Sequence, residues 1–72
     1  MIMKIERLIK MANDISDYFN ADSDKTVAAE GVRNHIARNW EPRMRQAILA
    51  YLKEDGSALN PLTKAALIKL DS

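Results

Sequence analysis

Few residues of this sequence belong to the types that carry out chemistry. The 72 residues include no cysteine and one histidine, His35. Thiolate metal sites and disulfides are therefore excluded, and a single imidazole provides too few nitrogen ligands for zinc. Asp14 and Asp17 stand three residues apart on one predicted helix face, where paired carboxylates can do acid–base work. We assign both to a solvated face, because they fall on the polar side of that helix.

The clearest pattern is basic and aromatic, and it lies near the middle of the chain. The formal net charge is +1, yet residues 33–53 carry five Lys or Arg and one Glu. Arginine with an aromatic residue is typical of nucleic-acid surfaces and also of protein interfaces. We interpret the segment as a partner-binding surface, whose candidate residues are His35, Arg38, Trp40, Arg43 and Arg45.

Three expectations qualify this interpretation. Trp40 should also bury much of its indole in the core. His35, one turn from Val32 and beside Ile36, is expected to be a partly buried structural residue, with a general base or ligand as the alternative. A small helix-turn-helix nucleic-acid-binding regulator is the alternative function, but its third helix must bury several apolar residues and so offers few phosphate contacts.

The elements that must position these residues are helices. Apolar residues follow the spacing i, i+3, i+4, i+7 from Ile5 to Phe19, which predicts an amphipathic helix. A second helix is predicted over about 25–38, capped at its start by Ser23 or Asp24. Gly31 lies inside it, where glycine costs about 1 kcal/mol relative to alanine. We expect a tolerated weak point there, or alternatively a close helix approach that leaves no room for a Cβ.

In the second half of the chain, proline and glycine mark where helices are predicted to begin and end. Pro42 and Pro61 are each predicted at the first position of a helix, where the missing N–H is not needed. Gly56 should end the third helix as a left-handed cap, and the fourth helix should run to about Leu70. Four short helices predict an all-α fold, a small bundle in a single domain over 1–72.

The distribution of charged residues also bears on where the protein is expected to be located. The longest stretch without a charged residue is 56–63, much shorter than the roughly 20 residues that cross a bilayer. Charges at Lys4, Glu6 and Arg7 interrupt any signal peptide. We therefore expect a cytoplasmic protein that binds no membrane, no cofactor and no metal, and that catalyses no reaction by itself.

Three blocks of the sequence resemble the delta subunit of the NAD-dependent formate dehydrogenase. Residues 11–19 resemble the opening block of that family and residues 59–67 its closing block. The most specific part is the string Trp-Glu-Pro-Arg-Met-Arg at 40–45, preceded by His-Ile at 35–36. Order, spacing and length agree over nearly the whole chain.

The sequence departs from the family at three positions. Ser16 stands where a glycine is expected, Asn39 where an aromatic or long side chain is expected, and Asn60 where a serine precedes the proline. The departures at Ser16 and Asn39 weaken conclusions about contacts at those two positions. They do not change the assignment.

The resemblance implies a non-catalytic accessory subunit. The family's enzyme is a cytoplasmic complex that oxidises formate and passes electrons to NAD, with its molybdenum or tungsten cofactor, iron–sulfur clusters and flavin in the larger subunits. The delta subunit is implied to support assembly, stability or cofactor insertion. The expected partner is the large catalytic subunit, with no nucleic acid involved, and an isolated chain can pair its apolar stripe with itself as a homodimer.

Overall fold

Four helices account for most of the chain in the computed structural model, which describes residues 4–72. They are α1 (Ile5–Phe19), α2 (Lys25–Asn39), α3 (Pro42–Glu54) and α4 (Pro61–Asp71). The all-α prediction is confirmed. Both prolines lie at the first turn of a helix, as their spacing predicted.

The helix ends follow the local chemistry of the sequence. The Asp24 carboxylate accepts hydrogen bonds from the backbone N–H groups of Thr26 and Val27 at 3.0 and 3.3 Å, so Asp24 and not Ser23 caps α2. Glu41 is extended (φ −67°, ψ 154°), as a residue before proline should be. Gly56 has φ +69° and follows α3 as the expected left-handed residue.

The core lies where all four helices meet. It is a cluster of buried side chains from every helix, from the α2–α3 connection and from the α3–α4 loop: Leu8, Ala12, Val32, Ile36, Trp40, Ile48, Leu59, Ala66 and Leu67. α2 packs mainly against α4 and α1. The periodic stripes of the sequence therefore become one shared interior, and the outer faces of α1 and α2 remain in solvent.

Gly31 is where the Phe19 ring at the end of α1 packs directly on α2. A Cβ built at Gly31 would lie 2.6 Å from both Cδ1 and Cε1 of Phe19. A Cβ would not fit unless this ring moved, which agrees with the second interpretation of this glycine in the lack of space but not in its cause. The obstacle is an aromatic ring at the end of α1 and not the backbone of another helix.

A buried polar network ties α1 to α4. Asn13 Oδ1 accepts a hydrogen bond from the Thr63 hydroxyl at 3.0 Å and one from the Asn60 backbone N–H at 2.9 Å. Ser16 Oγ lies 2.6 Å from Thr63 Oγ1, and both residues are buried. Because the one hydroxyl hydrogen of Thr63 goes to Asn13, Ser16 is the donor in this pair.

Candidate partner-binding site

Trp40 and Arg45 build the junction between α2 and α3. Trp40 follows the last residue of α2 and is only 5% exposed, so its indole belongs to the core. The Arg45 guanidinium donates hydrogen bonds to the carbonyls of Trp40 and Ala37. The last carbonyls of a helix lack partners within it, so Arg45 satisfies the end of α2 and fixes α3 against it.

The other three candidates face solvent. His35, Arg38 and Arg43 are exposed, and their side chains form no hydrogen bond or ion pair with other residues of 4–72. The expectation of a partly buried His35 is wrong. The next residue, Ile36, is fully buried. Side chains of consecutive helix residues point about 100° apart, so His35 lies on the outer surface.

Arg43 and Arg45 have different environments although they are two residues apart. Positions two apart on a helix do not share a face. Arg45 is half-buried against α2, while Arg43 is exposed on the first turn of α3. The five candidates therefore separate into two that hold the junction and three that are free to meet a partner.

His35 also lines a groove that the sequence did not predict. The groove has a volume of about 430 Å³ between α1 and α2, and it is lined by Ile15, Tyr18, Phe19 and His35. It adjoins a second depression of about 270 Å³ that shares Phe19 and His35 and adds other residues of α2 and its end. Those residues are Gly31, Asn34, Arg38 and Asn39. We call the two together the aromatic groove.

Tyr18 dominates the outer wall of the aromatic groove. Its side chain is 78% exposed, and its ring meets Phe19 edge to face with centroids 5.2 Å apart. In the sequence Tyr18 stands beside the apolar stripe of α1 and only widens it. The signal that was available is this offset, because an aromatic residue one position away from a buried stripe lies at the edge of the covered face.

The acidic residues of α1 do not form a catalytic pair. Asp14 and Asp17 are both exposed, as predicted for a solvated face. Asp14 pairs with Lys10 at 2.9 Å, and Asp17 accepts a hydrogen bond from Asn60 at 3.3 Å.

Within residues 4–72 no three His, Asp or Glu residues are grouped so as to hold a metal ion. No helix in that range is long and apolar enough to cross a membrane.

Comparison with known families gives a match over most of the chain. A family model described as the NADH-dependent formate dehydrogenase delta subunit FdsD matches residues 7–67. The chain belongs to this family. Neither the comparison with curated proteins nor that with solved structures gives a match.

The delta-subunit match covers every part of the site described above. The matched range begins early in α1 and ends in α4, so it includes the α2–α3 junction and both walls of the aromatic groove. The resemblance found in the sequence blocks is thereby confirmed at the level of the family. The surface residues can accordingly be considered as parts of a formate dehydrogenase subunit.

Proposed function

We propose that this chain is a non-catalytic accessory subunit of a cytoplasmic NAD-dependent formate dehydrogenase. It docks on the large catalytic subunit and supports the assembly, stability or cofactor insertion of that subunit. The observation that carries the proposal is the family match over 7–67. The exposed basic residues beside the α2–α3 junction are the second support.

The docking surface comprises His35, Arg38 and Arg43. All three are exposed and have no partner among the other described residues. An arginine guanidinium makes two parallel hydrogen bonds to a carboxylate, which gives direction as well as attraction. The matching surface of the catalytic subunit is therefore acidic.

Trp40 and Arg45 act as positioning residues for this surface. The buried indole anchors the end of α2 in the core, and the Arg45 guanidinium fixes the first turns of α3 to the carbonyls of Ala37 and Trp40. They set the placement of Arg43 relative to Arg38. Changing either one disturbs the fold of the junction, so neither is a suitable test of docking.

The first experiment is recovery of the complex. A tagged chain is produced at native level in its host and purified under low salt, because screened surface charges weaken such contacts. We expect the large subunit of formate dehydrogenase to co-purify. Recovery of the tagged chain without any dehydrogenase subunit would overturn the proposed function.

The second experiment tests the docking surface. Arg43→Glu should weaken complex formation about tenfold or more, because it places a negative charge against an acidic surface. Arg7→Glu is the matched control, since Arg7 is exposed on the first turns of α1. Both variants should unfold at the wild-type temperature by circular dichroism. If Arg43→Glu binds as well as Arg7→Glu, docking does not use Arg43.

A nucleic-acid role is not proposed. The guanidinium of Arg45 is engaged by the carbonyls of α2, which leaves Arg43 as the exposed arginine of α3. One such residue provides few of the phosphate contacts that supply most non-specific affinity. A gel shift at low salt with random duplex DNA checks this, and a steeply salt-dependent shift would favour the helix-turn-helix alternative.

A further inference from the structure

We infer that the aromatic groove binds an apolar side chain carried by an acidic segment of the catalytic subunit. The inference deepens the proposed function and rests on it for the identity of the partner. It adds a second contact, on the α1 side of His35, to the basic surface already described. It also specifies the chemistry of the partner segment, namely an apolar anchor with carboxylates close to it.

The floor and outer wall of the groove are apolar. Ile15 and Phe19 are half-buried and pack against the core, so they form a fixed floor. Tyr18 stands 78% in solvent above them. A tyrosine with one apolar face and one polar tip is among the residue types most enriched at interface cores. This arrangement fits a single inserted side chain better than a flat surface would.

Gly31 lines the groove and leaves space for the Phe19 ring. With no Cβ at Gly31, the Phe19 ring lies directly against α2, within the volume that a methyl group would occupy. A larger residue there would push the ring outward into the space that the partner side chain is to fill. The glycine that tightens α1 against α2 therefore also keeps the groove open.

The charge around the groove selects the partner. Its lining includes His35 and Arg38 and no carboxylate. Three acidic residues flank the lining in sequence: Asp14 pairs with Lys10 at 2.9 Å, Asp17 accepts a hydrogen bond from Asn60 at 3.3 Å, and Glu30 is exposed beside Gly31. The side chains that line the groove itself are therefore basic or neutral. Carboxylates on the partner segment gain from complementary charge, and basic residues are repelled.

The same charge disfavours a second copy of this chain as the occupant. In a two-fold dimer each patch meets its own counterpart. His35 and Arg38 of one copy would then lie near His35 and Arg38 of the other. The exposed apolar residues elsewhere, Val27 and Ile68, line neither depression of the groove. A different polypeptide with acidic residues is the better complement.

Two substitutions test the inference in the full chain, co-produced with the dehydrogenase subunits. Tyr18→Ser removes the outer wall and Arg38→Glu reverses the charge beside it. Each should weaken recovery of the catalytic subunit about tenfold or more. Isolated Tyr18→Ser should unfold close to the wild-type temperature and isolated Arg38→Glu somewhat below it, because Arg38 lies in the last turn of α2. Ile68→Ser and Arg7→Glu are the matched controls, because Ile68 is 62% exposed on α4 and Arg7 is exposed on α1. Both controls should bind as the wild type does.

A cross-linking experiment identifies the occupant. Tyr18 is replaced by p-benzoylphenylalanine, the complex is irradiated, and the cross-linked peptide is sequenced by mass spectrometry. We expect a peptide of the catalytic subunit with an apolar residue and an Asp or Glu within one helical turn of it. A cross-link to a second copy of this chain, to a peptide without carboxylates, or to no subunit would overturn the inference.

The two proposals fail in different ways. If the wild-type chain recovers no dehydrogenase subunit, the proposed function fails and the inference fails with it. If the wild type recovers the catalytic subunit and Tyr18→Ser and Arg38→Glu recover as much as their controls, the groove inference alone fails. In that case the docking surface is restricted to the region around Arg43.

Discussion

At the residue scale, Gly31 is a position where one added methyl group should change stability. In an exposed helix, replacing glycine by alanine stabilises the protein by about 1 kcal/mol. Here the new Cβ would lie 2.6 Å from two ring carbons of Phe19. Moving packed side chains to accommodate an extra methyl group typically costs about 1–3 kcal/mol of stability. The steric term is therefore larger than the gain in helix propensity.

We accordingly expect Gly31→Ala to lower the free energy of unfolding by about 1 kcal/mol, measured by urea denaturation followed by circular dichroism. The control is the same substitution in a Phe19→Ala background, where the ring is absent. There Gly31→Ala should raise the free energy of unfolding, because only the propensity term remains. The same sign in both backgrounds would show that the ring does not limit this position.

At the scale of elements, α1 and α4 are joined by a polar contact that Asn13 organises. Besides accepting from Asn60 and Thr63, its amide nitrogen donates to the carbonyl of Ala58 at 2.9 Å. One side chain thus engages the loop before α4 and the first turn of α4. Buried polar groups of this kind are costly when a partner is removed, since the remaining groups stay unsatisfied.

Asn13→Ala should lower the free energy of unfolding by about 1–2 kcal/mol, because the half-buried side chain of Asn13 loses three hydrogen bonds while the Thr63 hydroxyl can turn to Ser16 Oγ as its acceptor. Asn39→Ala is the matched control: Asn39 is exposed, and its amide donates only to the carbonyl of His35 at 2.8 Å. That change should cost less than about 0.5 kcal/mol. Thermal and urea unfolding of both variants measures the difference, and equal losses would contradict the assigned role of Asn13.

The helices also show which features of the fold can be predicted from the sequence. Period 3.6 along α1 and the prolines at 42 and 61 are local signals, and local signals predicted the helices and their starts. The contact between Ser16 and Thr63 joins residues 47 positions apart. Ser16 and Thr63 both fall at stripe positions of their helices, so periodicity indicates that they are buried. It does not indicate that they meet, because that pairing depends on how α1 packs against α4.

In the candidate site, too, features set by local sequence were predicted and features set by the packing of separate helices were not. The burial of Trp40 was predicted, because a large aromatic residue at a helix break completes a small core. The role of Arg45 was not predicted, because it depends on how the chain turns between the end of α2 and the start of α3. The aromatic groove depends on the packing of the α1 and α2 faces, and its most exposed residue, Tyr18, lies outside the strict stripe.

At the scale of the whole molecule, the described chain is compact without a partner. Its radius of gyration is 11.2 Å, and a folded domain of this length is expected to have about 11 Å. Its dimensions are therefore those of a folded domain of this length. The homodimer suggested by the apolar stripe stays a prediction, and the charge of the aromatic groove sets the conditions under which it would form.

We expect self-association of the isolated chain to be weak at low salt and to increase with salt. Screening reduces the repulsion between the basic residues of two facing grooves and leaves the apolar contact in place. Sedimentation equilibrium at low and high sodium chloride concentration measures this. Tyr18→Ser should abolish the salt-induced dimer and Ile68→Ser should not. A dimer that dissociates as salt is added would show that opposite charges hold it together.

The tryptophan at the α2–α3 junction gives the protein an optical property. Trp40 is the one tryptophan of the sequence, and its indole is almost fully enclosed. Its fluorescence therefore arises from one place, the point where α2 ends and Arg45 holds α3. A shift of that emission to longer wavelength would report water reaching the junction, so local opening there can be followed in the isolated chain without any attached dye.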